Sequence, residues 1–145
     1  RRKRSQDVFV GRFERQLDDR GRVALPADYR PELGEHVYLS IGEDSCIKLM
    51  SESEFNSDAQ EMIAKVKSGE LPRSVARAFS GSVAKATLDK QGRVVIDQRL
   101  REHAGIETNS QVILLGAFDR IEIWEPSRHE AEDRDGSLLI AGGTT

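Results

Sequence analysis

The chain has 145 residues, 32% of them charged, a formal net charge of −3 and a single cysteine. That length suits one domain or two very small ones packed together, and the negative balance argues against a uniformly basic nucleic-acid binder. No apolar run approaches the ~20 residues of a membrane span, no signal-peptide apolar region follows the basic N-terminus, and the lone Cys46 excludes an internal disulfide and points to a reducing compartment.

Residues 1–7 are polar and expected to be disordered, and the tetrad Arg1-Arg2-Lys3-Arg4 either adds non-specific phosphate contacts or is a start-site remnant. Val8 to Leu17 alternates loosely and reads as a strand. Asp18-Asp19-Arg20-Gly21 is turn chemistry, because Asp bonds its own backbone and Gly supplies positive φ. Arg22 to Leu25 resumes as a strand, so a hairpin with a short charged tip is expected. Pro26 suits the first turn of a short helix through about Leu33. Val37–Ile41 and Cys46–Met50 are strands around a turn at Gly42–Ser45. Ser51-Glu52-Ser53-Glu54 is a capping box. It opens a helix with Phe55, Ala59, Met62, Ile63 and Val66 on one face, which is either core cover or a subunit contact. Ser68 to Pro72 breaks that helix, and residues 73–80 form another short helical segment.

The pattern then returns. Leu17-Asp18-Asp19-Arg20-Gly21-Arg22-Val23 reappears 71 residues later as Leu88-Asp89-Lys90-Gln91-Gly92-Arg93-Val94, and six of the fourteen positions 17–30 are identical to 88–101, Arg30 and Arg101 among them. An internal repeat turns one structural unit into two. Val83–Leu88 and Arg93–Ile96 read as strands around the second turn. Asp97 opens a helix to Ala104, stopped by Gly105. Val112–Leu115 and Ile121–Trp124 are a closing strand pair, with four extra residues near Gly105–Ser110 relative to the first copy. Glu125-Pro126-Ser127 starts a last helix, and residues 131–145 are expected to be a loose tail. A unit of about 50 residues is marginal alone, so the two are expected to share a core. Short strands with small helices between them suggest a compact barrel built by both halves.

Charge is segregated along this plan. Residues 1–30 hold nine Lys/Arg against five Asp/Glu and residues 73–101 hold seven against two, whereas the remainder holds six against eighteen. Either a basic face meets a polyanion, or two solvated loops and a tail happen to be basic. The repeated Asp-x-x-Gly-Arg stretch has the same two readings. Asp18 and Arg22 could pair across an exposed turn for ~0–1 kcal/mol. Alternatively Arg22 and Arg93 share one face, suited to phosphates or guanine edges, with Asp18 and Asp89 orienting them.

These stretches are similar to the MraZ family of bacterial transcriptional regulators, which carry two SpoVT-AbrB-type units in one chain. The matching residues are Phe9-Val10-Gly11-Arg12, Leu17 to Ala27, Ala78-Phe79, Leu88 to Val94, Arg101 to Ile106 and Asp119 to Trp124, spread over residues 8–130. Two departures stand out: Asp97 replaces the family's usual second Pro, and the basic extension before Val8 is longer. The resemblance implies an α+β, mainly β fold: a pseudo-twofold swapped-hairpin β-barrel of the double-psi or AbrB kind. Units at 8–55 and 81–130 would flank a helical linker at 56–80. It also implies a cytoplasmic, nucleoid-associated regulator that binds direct repeats in double-stranded DNA upstream of its own division and cell-wall gene cluster, as a ring-like homo-oligomer with no membrane contact. The family's Asp-x-x-x-Arg motif falls on Asp18/Arg22 and Asp89/Arg93, its arginine being the proposed DNA contact. Around it stand Arg20, Arg12 and Arg15 at one turn and Lys90 and Lys85 at the other, with Gly21 and Gly92 shaping the turns.

Nothing else in the chain calls for an enzyme, a cofactor or a metal. His36, His103 and His129 lack ligand spacing, and no Gly-rich phosphate loop, nucleophile turn or paired carboxylates in an apolar pocket appear. Cys46 reads as a packed small apolar residue, and Trp124 and Phe118 read as core rather than as a base-stacking platform. The alternative from another class is an AbrB-type protein-interaction module, an antitoxin or scaffold. Its toxin-binding tail should be long and amphipathic, which the short, Gly-containing residues 131–145 disfavour.

Overall fold

The structure, a computed structural model, describes residues 8–143, so the basic extension expected at 1–7 lies outside the described residues. Each half runs strand, charged turn, strand, short helix, strand, turn, strand. The first half holds β1 (Arg12–Gln16), β2 (Arg22–Ala24), α1 (Arg30–Leu33, entered through a 3-10 turn at Ala27–Tyr29), β3 (His36–Ile41) and β4 (Ile47–Ser51). The helices α2 (Glu52–Ser68) and α3 (Arg73–Ser82) join it to the second half, β5 (Ala84–Thr87), β6 (Arg93–Val95), α4 (Gln98–Ala104), β7 (Gln111–Gly116) and β8 (Ile121–Trp124), and α5 (Pro126–Ile140) follows. Local chemistry accounts for the boundaries. Ser51 Oγ accepts the Glu54 N–H at 3.3 Å to start α2, and Asp97 Oδ1 accepts the Leu100 N–H at 2.9 Å to start α4. Gly105, at φ 69°, ends α4 in the left-handed conformation.

Six strands form an antiparallel sheet in the order β1-β7-β8-β4-β3-β5, and β2 and β6 form a separate two-stranded ribbon. Exchanging repeat counterparts (β1 with β5, β7 with β3, β8 with β4) reads the same sheet order from the other end. In the ribbon Val23 lies opposite Val94, its own counterpart 71 residues on. The pseudo-twofold of the repeat therefore passes between these two valines.

Two expectations change here. The β1–β2 hairpin does not form: the Asp18 N–H donates to the Arg22 carbonyl at 3.0 Å, closing the turn, and the chains then part. β1 pairs with β7 and β2 with β6, because Leu17 and Val23 on either side of the turn both have to bury in the common core, where each is fully enclosed. Nor does the sheet close into a barrel. β1 and β5 are its two ends, and the three-residue strands β2 and β6, each only about 10 Å long, pair solely with each other and bridge neither edge.

One core serves both halves. Leu17, Val23, Leu25, Val37, Leu39 and Leu49 pack with Val94, Ile96, Leu100, Val112, Leu114 and Ile123 in a single cluster. Cys46 sits in a smaller cluster with Ile113 and Trp124, and burial, followed by the Glu122 charge, pushes its thiol up to about 12, so it packs as a neutral group. Trp124 is core as expected, but Phe118 is not: it is 66% exposed. Its backbone exchanges hydrogen bonds with Phe9 at 2.8 and 2.9 Å at a φ of 71°, which directs the ring outward from the β7–β8 turn.

The α2 face covers the sheet at one end and lines an open groove along the rest. Phe55 stacks on Tyr38 with ring centres 4.4 Å apart, covering the sheet. Ala59, Met62, Ile63 and Val66 line, with Ala76, Arg77 and Phe79 of α3, an open groove of roughly 500 Å³. The expected loose tail is also revised, since residues 131–140 continue α5, which is capped where Glu125 Oε1 accepts the Arg128 N–H at 3.1 Å. No helix among the described residues is long and apolar enough to cross a membrane.

Because each half supplies only part of one core, residues 8–80 and 81–143 expressed separately are expected to give collapsed, poorly dispersed amide NMR spectra. A well-dispersed native spectrum from either piece alone would contradict the shared core.

Candidate nucleic-acid interface

Both charged turns are built in the same way. Asp18 Oδ1 accepts the N–H groups of Arg20 at 2.9 Å and Arg22 at 2.8 Å, while Oδ2 takes the Arg22 Nε–H at 2.8 Å. In the second copy Asp89 Oδ1 accepts from Gln91 at 2.9 Å and Arg93 at 2.8 Å, and Oδ2 takes the Arg93 Nε–H at 2.8 Å. One carboxylate thus folds the backbone and aims the arginine. Backbone and side-chain N–H donors from Arg22 and Arg93 stabilise the ionised form and hold each aspartate below the ordinary carboxylate range.

The ribbon decides where the arginines point. Arg22 lies opposite Val95 and Ala24 opposite Arg93, while Val23 and Val94 between them are buried. Side chains alternate across a strand, so Arg22 and Arg93 share the outward face as diagonal neighbours, a relation that sets the two residues about 7–8 Å apart in a pleated pair, with their Cβ atoms somewhat closer. Val95 on that face is 54% exposed. Among the described residues neither arginine's terminal Nη groups have a hydrogen-bond acceptor, since the Asp contacts use Nε alone.

The other expected residues are placed less uniformly. Arg20 and Lys90 are exposed at the two turn tips. Arg12 and Arg15 stand an odd number of residues apart on β1 and so face opposite sides of it. Arg15 lies 5.4 Å over the Phe13 ring. Lys85 sits on β5, at the far end of the six-stranded sheet, 5.9 Å over the Tyr38 ring. Gly21 and Gly92 have φ of 77° and 75°, as such turns require.

The family model described as "MraZ protein, putative antitoxin-like" matches residues 8–73 and 79–135. The chain belongs to the MraZ family. Proteins named transcriptional regulator MraZ from Lachnoclostridium phytofermentans and Alkaliphilus oremlandii are 31% and 34% identical to it, over 92% of this chain and 93% of the first and over 90% of both chains for the second. The MraZ regulator of a Thermoanaerobacter species is 39% identical over 81% of this chain and 80% of its own.

Two residues of this MraZ chain belong beside the expected set. Arg30 donates through Nε and Nη2 to the Leu25 carbonyl at 3.1 and 2.8 Å, and its guanidinium occupies the space that a Cβ on Gly92 would fill. Arg101 occupies the corresponding position over Gly21, its Nη1 3.1 Å from where that Cβ would be. Each therefore lies on the turn of the other half. Their signal was in the sequence as the sixth identity of the repeat, outside the charged turn itself.

The folded pKa values of Asp18 and Asp89 lie below the unfolded value of 3.8. Their contribution is therefore fully present above that pH and is lost as pH falls through the lower folded values. Carboxyl-detected NMR should find both aspartates titrating below 3.8, with the Arg22 and Arg93 Nε–H resonances unchanged from pH 7 to 5. Titration at the ordinary value would show that the carboxylates do not hold these turns.

Proposed function

We propose that this chain is a sequence-specific DNA-binding transcriptional regulator and not an enzyme. The observation that carries the reading is the placement of Arg22 and Arg93 on one ribbon face, each held by its own aspartate through Nε, with the terminal Nη groups left without an acceptor among the described residues. Planar guanidinium forks in fixed positions suit phosphate oxygens and the O6/N7 edge of guanine. Arg20 and Lys90 at the turn tips extend the same positive face, and Arg12, Arg15 and Lys85 give outlying phosphate contacts. The names of the relatives support regulation as the role.

The fuller reading follows the family. The exchange of β2 and β6 between halves is what a swapped-hairpin ancestry would leave. The target is a set of short direct repeats upstream of the chain's own division and cell-wall gene cluster, in a cytoplasmic, nucleoid-associated setting. One protomer offers a small patch. A ring of copies facing consecutive repeats gains affinity by effective concentration, with the open α2–α3 groove available as a contact between copies. Acidic residues over the rest of the surface disfavour adventitious DNA contacts.

A second reading, an AbrB-type interaction module such as an antitoxin, draws on one observation. α5 is a helix to Ile140 and ends with Leu138, Leu139 and Ile140 exposed, so the objection that the C-terminal segment is a short loose tail no longer applies.

Fluorescence anisotropy with the chain's own upstream DNA against a scrambled duplex of equal length separates the two. Specific binding is expected, lowered about 5- to 150-fold by either Arg22→Ala or Arg93→Ala, the range for a good bidentate guanine contact, and much less by Arg1→Ala. Equal binding to both duplexes, or equal losses for Arg22→Ala and Arg1→Ala, would move the assignment to the interaction module. Affinity is also expected to fall steeply with salt, with a log–log slope of about −0.9 per phosphate neutralised, and a flat response measured by the same titration would remove the phosphate contacts.

A further inference from the structure

We propose that Arg30 and Arg101 are positioning residues that lock each DNA-reading turn to the opposite half of the chain, so that the two turns work as one cross-braced head. The proposal rests on the DNA-binding reading for its functional consequence, though not for its geometry.

The argument starts from the backbone of the ribbon. The Leu25 N–H donates to the Gly92 carbonyl at 2.9 Å, and the Ile96 N–H donates to the Gly21 carbonyl at 2.8 Å. Each glycine of a charged turn is thus tied to the strand end of the other half. Arg30 closes the first of these ties into a loop. Its Nε and Nη2 both donate to Leu25, the residue already bonded to Gly92, while the flat face of the guanidinium packs where Gly92 has no side chain. Gly92 is the residue just before Arg93. Holding Gly92 in this way fixes where Arg93 leaves the turn, which the exposed Asp89–Arg93 pair alone, screened by solvent, does not.

The pseudo-twofold repeats the arrangement with Arg101 over Gly21, next to Arg22, where the Ile96 carbonyl also lies 3.0 Å from the Cβ position. The two braces differ in one respect: Arg30 makes hydrogen bonds to Leu25, and Arg101 makes none to Ile96 among the described residues. Glycine at positions 21 and 92 accordingly does two things. It adopts the positive φ of the turn, and it leaves the flat space in which the other half's guanidinium lies.

The deciding measurement needs no DNA. In nitrogen-15 spectra of the Arg Nε–H groups of the full chain, Arg30→Ala is expected to shift or broaden the Arg93 signal, across the repeat, and to leave Arg22 in place. Arg101→Ala is expected to do the reverse. Arg30→Lys keeps the charge and most of the stem but not the flat, two-donor contact, so it should behave as Arg30→Ala does. It also gives the same reading should the alanine variant fail to fold. A response of Arg22 rather than Arg93 to the Arg30 variants, or no response, would overturn the proposal.

Anisotropy with the upstream duplex adds the functional arm. Arg30→Ala/Arg93→Ala should bind at least about threefold tighter than the product of the two single losses, as side chains in one network do. Arg30→Ala/Arg22→Ala should be additive, and Arg30→Ala should leave the salt slope unchanged. Recovery of full affinity by Arg30→Lys, or a slope reduced by about one phosphate equivalent, would make Arg30 a direct charge contact and overturn the positioning role. Failure of the unaltered chain to bind DNA, alongside the cross-repeat NMR response, would leave the brace standing and remove the DNA reading instead.

Discussion

The fold depends on the meeting of Val23 and Val94. β2 and β6 are three residues each, too short to be stable as strands anywhere but against one another. By pairing across the repeat they place Leu25 and Ile96 in a single core and oblige the two halves to fold around it. The longer strands then arrange themselves about the same axis, which is why the sheet order is unchanged when the halves are exchanged. Shared burial also resolves the size problem of two units of about 50 residues, since a domain that small hides a limited fraction of its apolar surface alone.

The same pairing converts a local turn into a two-point surface. Taken singly, an Asp-x-x-Gly-Arg turn holds one arginine with one carboxylate, and such exposed pairs contribute little to stability. Opposed across a ribbon whose inner residues are core, the two arginines acquire a fixed relation to each other. Rigidity comes from the buried valines and the cross-half backbone bonds, direction from the aspartates, and neither alone would produce a defined pair of forks. That division of labour also explains why the turns tolerate Asp19-Arg20 in one copy and Lys90-Gln91 in the other: those side chains lie outside both the core and the carboxylate's hydrogen bonds, and only the backbone N–H of Arg20 and of Gln91 is used.

Much of this was legible in the sequence because it is carried by local signals. The strand pairs around Gly42–Ser45 and Phe118–Arg120, the capped starts at Ser51 and Asp97, and the shared core all follow from periodicity, capping chemistry and the repeat. That Asp18 and Arg22 could pair across the turn was legible too, though spacing left open what the pairing is for. What could not be read was the partner of each strand, because a turn sequence specifies that the chain reverses and not which edge it then joins. β2 leaves its neighbour for this reason. Phe118 was misplaced because hydrophobicity says nothing of a positive φ at a turn, and the C-terminal segment because Gly136 and the final glycines masked a helix that is exposed along most of its length. Arg30 and Arg101 were visible as an identity, but their role depends on proximity to a glycine some 60 to 80 positions distant.

The distance between pairing partners has a consequence for how the protein is made. β1 waits for β7, with Arg12 opposite Leu115, and β2 waits for β6, with Val23 opposite Val94. At about 5–20 residues per second of synthesis, the first half emerges several seconds before any of these partners exists. During that interval its strand edges and the apolar face around Leu17, Val23 and Leu25 are open to another nascent chain, and the equivalent ribbon strand of a neighbour on the same messenger would fit as well as its own. Once made, the second half is held by the α2–α3 connection at high local concentration beside the first, which favours pairing within the chain over pairing between chains.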